Sequence, residues 1–370
     1  MIDYIQHKEH SVQGRYVTMA HLREHWLPNL NGLAIDCLGQ SVNSNSILGV
    51  TMGSGANRIL MWSQMHGNES TTTKAVLDLV NFLKISSPLR DSILEQCTLY
   101  IIPMLNPDGA DTYTRQNANG IDLNRDAKEL SQPESRILRS AFEKFQPHYC
   151  FNLHDQRTLF AAGQNKKSAT VSFLAPASNS EREITPARGT AMQLILAMNR
   201  MLQSKIPGQV GRYDDAFNDN CVGDAFQMQE VPTILFEAGH YPNDYMREKT
   251  RELIFYAFLE VLQIIVKQNI ELFDINEYFD IPENEKSFYD ILIRNANRVN
   301  HNLDDVTDVG IQFKEVLENG AISFVPEIAA VENLDAFFGH RIIECSNAKD
   351  RESLAANKDL LDLVASAEKK

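Results

Sequence analysis

The sequence predicts an α/β protein, and three observations carry that prediction. Short apolar runs of strand length recur along the chain, amphipathic stretches of helical period lie between them, and four of the runs end abruptly in polar motifs. Alternation of this kind builds a sheet with helices laid against it.

The four runs are 58–65 (RILMWSQM), leading into His66; 98–105 (TLYIIPML), into Asn106; 149–153 (YCFNL), into His154; and 232–236 (PTILF), into Glu237. Ligand sites in open α/β sheets gather at the carboxyl ends of strands, so these four ends are expected to meet in one crevice. Helical periodicity marks 71–84, 134–145, 189–204 and 247–267, the last with Leu253, Ile254, Ala257, Phe258, Val261, Ile264 and Ile265 on one face. NLNG (29–32) and SVNSNS (41–46) read as turns, as does GSG at 53–55, which is too short for a phosphate loop. No internal repeat is visible.

The pattern changes after residue 270. DIPENEKS precedes a helix-like segment, then VGIQFKEVL and AISFV flank an Asn319-Gly320 turn that predicts a hairpin, and a charged helical tail follows. A boundary near 275 is therefore expected, with 1–275 as the main domain and 276–370 as a small α+β appendage without evident chemistry. An integral extension of the main sheet is the alternative.

Composition narrows the function. The 370 residues are 43% hydrophobic and 23% charged, ordinary for a globular chain, and the formal net charge of -14 disfavours general attraction to nucleic acid or anionic lipid. The most apolar stretch, 253–266, is broken by Glu260 and Gln263 and falls short of the ~20 apolar residues a spanning helix needs. MIDYIQHKEH has no basic segment followed by an apolar one, so a cytoplasmic location is the expectation. Five widely spaced cysteines without a C-x-x-C pair fit a reducing compartment and read as small buried apolar residues. No G-x-S-x-G elbow occurs and no cysteine neighbours a histidine motif, which leaves serine and cysteine nucleophile chemistry without support.

Two His-x-x-Glu motifs are present. His21-x-x-Glu24 lies in HLREH, which matches an inverted zincin pattern, but His21 and His25 fall on one face of an amphipathic stretch and also read as a solvated helix surface. His66-x-x-Glu69 follows a strand-like run, and His154, at the end of another, supplies a third ligand. Two imidazoles and one carboxylate with an open fourth position make a catalytic rather than a structural zinc set. Zinc, one ion per chain, is the metal this ligand type prefers.

HGNE (66–69), NPDG (106–109), TRQNANGIDLNRD (114–126), NLH (152–154) and FEAG (236–239) occur in the order seen in the metallocarboxypeptidase (funnelin) family, and together they resemble it closely. The resemblance implies a mixed, mostly parallel twisted sheet covered by helices on both faces. It also implies that His66, Glu69 and His154 bind zinc and that Glu237 is the general base. Arg115 resembles the arginine that polarises the scissile carbonyl, a donor of a kind worth ~3 kcal/mol in the transition state. Asn124 and Arg125 resemble the pair that grips the substrate's free terminal carboxylate, and Asp122 the acid that fixes the tautomer of the first zinc histidine.

Tyr213, in GRYDDAF, is the candidate for the tyrosine that folds over bound substrate, although its separation from Asp224 is slightly long. Gly223 matches the floor of the side-chain pocket and declares no preference. Asp214, Asp215 and Asp219 would favour basic residues if they faced that pocket, and otherwise form a solvated acidic loop. His240 is a candidate fourth ligand or a packed histidine. The expected reaction is hydrolysis of the C-terminal peptide bond. The alternatives are a zinc amidohydrolase resembling aspartoacylase or succinylglutamate desuccinylase, and an inactive binding module on the same fold.

Overall fold

The computed structural model describes residues 2–368. These divide into two compact units, one running to Gln156 and resuming over Ala169–Asn284, the other made of Arg157–Ser168 and the chain from Glu285 onward.

The first unit comprises α1 (Met19–His21), β1 (Ala34–Gln40), β2 (Ser46–Gly53), β3 (Asn57–Ser63), α2 (Thr71–Lys84), α3 (Pro88–Gln96), β4 (Cys97–Ile102), α4 (Pro107–Thr112), α5 (Pro133–Phe145) and β5 (Tyr149–Asp155). After β6 (Phe160–Ala162), which belongs to the second unit, it continues with β7 (Val171–Leu174), α6 (Pro186–Gln203), β8 (Val210–Arg212), α7 (Val222–Gln227), β9 (Thr233–Ala238) and α8 (Glu248–Lys267). Eight strands form one sheet in the order β1-β2-β4-β3-β5-β9-β7-β8. The central run β4-β3-β5-β9 is parallel, as is β7-β8, while β1-β2, β2-β4 and β9-β7 are antiparallel. This is the mixed, mostly parallel sheet expected.

Successive strand residues point to opposite faces, so each central strand feeds two cores. Ile59, Met61, Phe151, Leu153, Ile234 and Phe236 pack with α2, α6 and α8. Leu60, Trp62 and Cys150 pack on the other face with Leu138 and Phe142 of α5 and with Val222 and Phe226 of α7. Helices thus cover both faces.

The predicted helices form within a few residues of their expected ends, and local signals explain several of them. Pro133 and Pro186 stand in the first turns of α5 and α6, where a missing N–H costs nothing, and Thr185 accepts from Arg188 N at 3.3 Å as an N-cap. α2 is different, because its first amides are capped from afar: Asp155 accepts from Thr71 N at 2.9 Å and Thr72 N at 3.2 Å. α2 is also buried nearly all round, including Lys74 and Asp78, whose charges face α8. Among the described residues, no helix is long and apolar enough to cross a membrane.

The first unit ends at Asn284, some residues beyond the expected boundary near 275, because the segment after α8 folds back on it. Tyr278 is buried and its hydroxyl accepts from Ala175 N at 3.0 Å, and Pro282 O accepts from Arg212 N at 2.8 Å.

In the second unit β10 (Asn284–Lys286) pairs with β6, and β11 (Phe288–Arg294), β12 (Asp308–Glu318), β13 (Ala321–Glu332) and β14 (Phe338–Glu344) form a separate sheet ordered β13-β12-β11-β14. α9 (Ala348–Ala355) and α10 (Lys358–Ala365) follow. The helix-like segment expected after DIPENEKS is instead strand β11: FYDILIR buries Phe288, Asp290, Leu292 and Ile291 against both neighbours, and tertiary pairing overrides its ambiguous local pattern. The hairpin is as expected, with Asn319 and Gly320 both at positive φ (51° and 75°), the requirement of a tight two-residue turn.

The candidate metal centre and its surroundings

β3 and β5 deliver the histidines and the loop after β3 delivers the carboxylate. His66 Nδ1 lies 2.9 Å from Glu69 Oε1, His154 Nδ1 lies 2.8 Å from Glu69 Oε2, and the two Nδ1 atoms are 3.1 Å apart. All three residues are buried, and they make the one group of metal-type donors of this size among the described residues. Two ring nitrogens and a carboxylate converging at such distances suit a divalent cation of zinc's kind, which binds imidazole at ~2.0–2.1 Å. Burial lowers the pKa of His154 and so favours the neutral ring that a metal requires. Burial alone would raise Glu69, yet the two histidines beside it hold its carboxyl well below the usual range. For His66, burial opposes protonation, but Glu69 and Asp122 together raise its pKa.

Asp122 stands where the tautomer-fixing acid is expected. Its Oδ1 is 3.0 Å from His66 Nε2 and accepts from Asn124 N at 2.9 Å, leaving Nδ1 of the ring turned to the donor cluster. Arg115 bridges the two acids, its Nε donating to Asp122 Oδ2 at 3.0 Å and its Nη1 lying 3.4 Å from Glu69 Oε1. Half of its side chain remains exposed.

Glu237 is the register partner of His154 across β9 and β5, which puts the two side chains next to each other on one face. It is buried, its Oε2 has no hydrogen-bond partner, and burial followed by the charges of Glu69 and Asp155 raises its pKa well above the ordinary value. Tyr213 belongs to the same neighbourhood: burial, and then the charges of Glu237 and Glu69, push its hydroxyl upward. Asn124 Oδ1 accepts from Val222 N at 3.2 Å, which ties DLNR to the first turn of α7, where Gly223 sits. Arg125 is exposed, with Nη1 donating to Asn124 O at 2.7 Å.

The structure does not gather the remaining candidates. His21 and Thr18 form a capping box on α1, while Glu24 and His25 are exposed and 3.8 Å apart. His240 is buried against the Tyr245 ring and does not join the metal-type group. Asn106 does not reach the cluster either: it caps α4 through Gly109 N at 2.8 Å and donates to Met65 O at 3.1 Å, so NPDG braces the HGNE loop. The loops meet so closely that a Cβ on Gly67 would lie 1.9 Å from Gly109 C.

Sequence reasoning missed two supports. Gln64, in a left-handed conformation (φ 49°), donates to Val17 O at 2.8 Å and Gly67 O at 2.9 Å and accepts from Thr73 at 3.0 Å, fixing the turn before His66. Asp155 N donates to Glu69 Oε2 at 3.1 Å while its carboxylate caps α2. Its place directly after His154 was the one available signal.

The sequence matches the zinc carboxypeptidase family over residues 10–218, more than half of its length. The chain belongs to that family. Among its relatives, Carboxypeptidase 2 of Trichophyton rubrum is 30% identical over 111 residues, covering 30% of this chain and 20% of that protein. The chain therefore spans about a fifth of the length of the curated relatives it matches. The fold is similar to that of a metallo-carboxypeptidase from Burkholderia cenocepacia (TM-score 0.52, 17% identity, 66% of this chain and 67% of that one). It is also similar to that of carboxypeptidase A from Helicoverpa armigera (TM-score 0.51, 16% identity, 69% and 73%).

Proposed function

We propose that this chain is a zinc-dependent carboxypeptidase that removes the C-terminal residue of peptides. The observation that carries the reading is the buried His66, Glu69 and His154 donor cluster with Glu237 in register beside His154. Zinc, when bound, acts as a Lewis acid on a carbonyl and lowers the pKa of a water towards ~7. Glu237 takes the proton of the attacking water and returns one to the leaving amine. Arg115 donates to the carbonyl oxygen as it gains charge, and Asp122 holds both Arg115 and the His66 ring in place. Asn124 and Arg125 bind the terminal carboxylate, for which a planar guanidinium with two parallel donors is suited, and Tyr213 closes over the substrate.

Metal analysis tests the first part. About one zinc per chain is expected in wild-type protein and in His21→Ala, and a loss of zinc in His66→Ala; the reverse pattern would move the metal to HLREH. Substrate profiling tests the second. A blocked dipeptide with a free terminus should be cleaved in preference to its amidated form and to an N-acyl amino acid. Arg125→Ala should lower kcat/KM for the free acid by about 10- to 100-fold, the worth of a hydrogen bond to a charged group. Preference for the acyl amino acid would favour the amidohydrolase alternative.

A further inference from the structure

α2 begins without a cap of its own. Its N-cap residue, Ser70, makes no side-chain bond to the helix, and its Oγ donates instead to Arg15 O at 2.5 Å. Ser70, Thr71 and Thr72 are fully buried, so water does not serve the first amides of the helix. The Asp155 carboxylate takes two of them, Thr71 N on Oδ2 and Thr72 N on Oδ1. Asp155 directly follows His154 on β5, so its side chain lies on the opposite face of the sheet, the face on which Phe151 and Leu153 pack with α2.

The same residue grips Glu69 through its main chain. Asp155 N donates at 3.1 Å to Glu69 Oε2, the oxygen that lies 2.8 Å from His154 Nδ1. Glu69 is two residues from Thr71, and its own amide donates to His66 O at 3.1 Å in a tight turn. Asp155 therefore holds the carboxylate ligand at its oxygen and holds the backbone that carries it at the start of α2. Both grips are anchored on β5, the strand that carries His154.

We infer that Asp155 is a positioning residue for the metal centre, its carboxylate fixing the start of α2 so that Glu69 is presented to His154 before an ion arrives. This rests on the metal-binding part of the reading above. Two amides side by side call for a carboxylate, because each oxygen accepts one. Asparagine would turn an NH2 towards one of them, and alanine would leave both bare. Without the fastening, the 66–70 loop has to be ordered at the moment of metal binding, and the ordering is subtracted from affinity.

Zinc affinity would be measured by chelator competition on full-length wild type, Asp155→Ala, Asp155→Asn and Thr185→Ala, the last removing the side-chain cap of α6 as a control for cap loss elsewhere. Hydrogen exchange at the Thr71 and Thr72 amides of the metal-free proteins would be read beside it. Both Asp155 variants are expected to weaken zinc binding by about 10- to 100-fold. They should also speed exchange at the two amides by about 5- to 30-fold, the worth of a lost helix cap. Thr185→Ala should do neither. Asp155→Asn has nearly the native shape and keeps one acceptor oxygen, so the inference stays testable if the Ala variant folds poorly. Wild-type zinc affinity in a folded Asp155 variant would overturn the inference, as would an equal loss of affinity in Thr185→Ala. Weaker zinc binding with unchanged exchange at Thr71 and Thr72 would also overturn it, since the missing charge alone would then account for the loss. Failure of wild type to bind zinc would instead overturn the metal reading itself.

Discussion

Replacing Glu237 by Gln is expected to leave zinc binding intact and to lower kcat by about 100- to 10,000-fold, the usual worth of a positioned general base. The substitution keeps the size and shape of the side chain and removes its ability to take a proton. Glu237 does not belong to the donor cluster of His66, Glu69 and His154, so metal content should not change. Because Glu237 Oε2 has no partner to lose, the folded state should tolerate the amide, and thermal unfolding of variant and wild type should nearly coincide. Steady-state kinetics on a blocked dipeptide, run beside elemental analysis, reads both quantities. Wild-type turnover by a zinc-loaded variant would remove Glu237 from the proposed mechanism.

The largest effect on stability is expected far from the chemistry, at Asp78. Arg251 Nε donates to Asp78 Oδ2 at 2.7 Å and Nη2 donates to Oδ1 at 2.6 Å, and both side chains are fully buried between α2 and α8. The same carboxylate accepts from the Tyr4 hydroxyl at 2.8 Å and from Glu9 N at 2.7 Å, fastening the N-terminal segment to the core. Asp78→Ala would strand the Arg251 charge in a dry interior and is expected to cost about 3–5 kcal/mol. Arg251 retains Glu248 at 3.1 Å and the carbonyls of Val12 and Glu9, which keeps the loss within that range. Denaturant unfolding would measure it. Replacing both partners with apolar residues of similar volume should restore most of the loss, since it removes the buried charge together with its counter-charge. A single variant as stable as wild type would show that water reaches this pair.

Much of the sheet and of the candidate site was legible in the sequence, because both are written in short continuous stretches. Runs such as RILMWSQM and YCFNL announce buried strands by composition alone, and α2 was placed at 71–84 by periodicity, where the structure has Thr71–Lys84. His66, Glu69 and His154 were found because HGNE and NLH each follow an apolar run, whereas Asp122 in DLNRD was placed by the resemblance to the metallocarboxypeptidase family. What escaped was set by distant partners. Lys74 and Asp78 look like the polar face of a surface helix until α8 brings Glu248 and Arg251 to them. Asp155 caps a helix that begins 84 positions earlier, a relation no local pattern encodes. FYDILIR is ambiguous between helix and strand, and only its pairing with β12 and β14 decides. The boundary at Asn284 likewise depends on Tyr278 finding Ala175.

The excursion at Arg157–Ser168 has a topological consequence. The second unit is sewn into the chain at three places, since its short N-terminal piece enters and leaves between β5 and β7 while the rest follows Asn284. Leu159 O accepts from both Ser287 N and Phe288 N at 3.1 Å, and Thr158 O is bound by His340 Nε2 at 2.8 Å. A single cut after Asn284 would therefore not free two self-sufficient halves. It would strip a loop that begins three residues past His154 of the backbone partners it was folded around, so the C-terminal quarter is not an add-on that can be trimmed away.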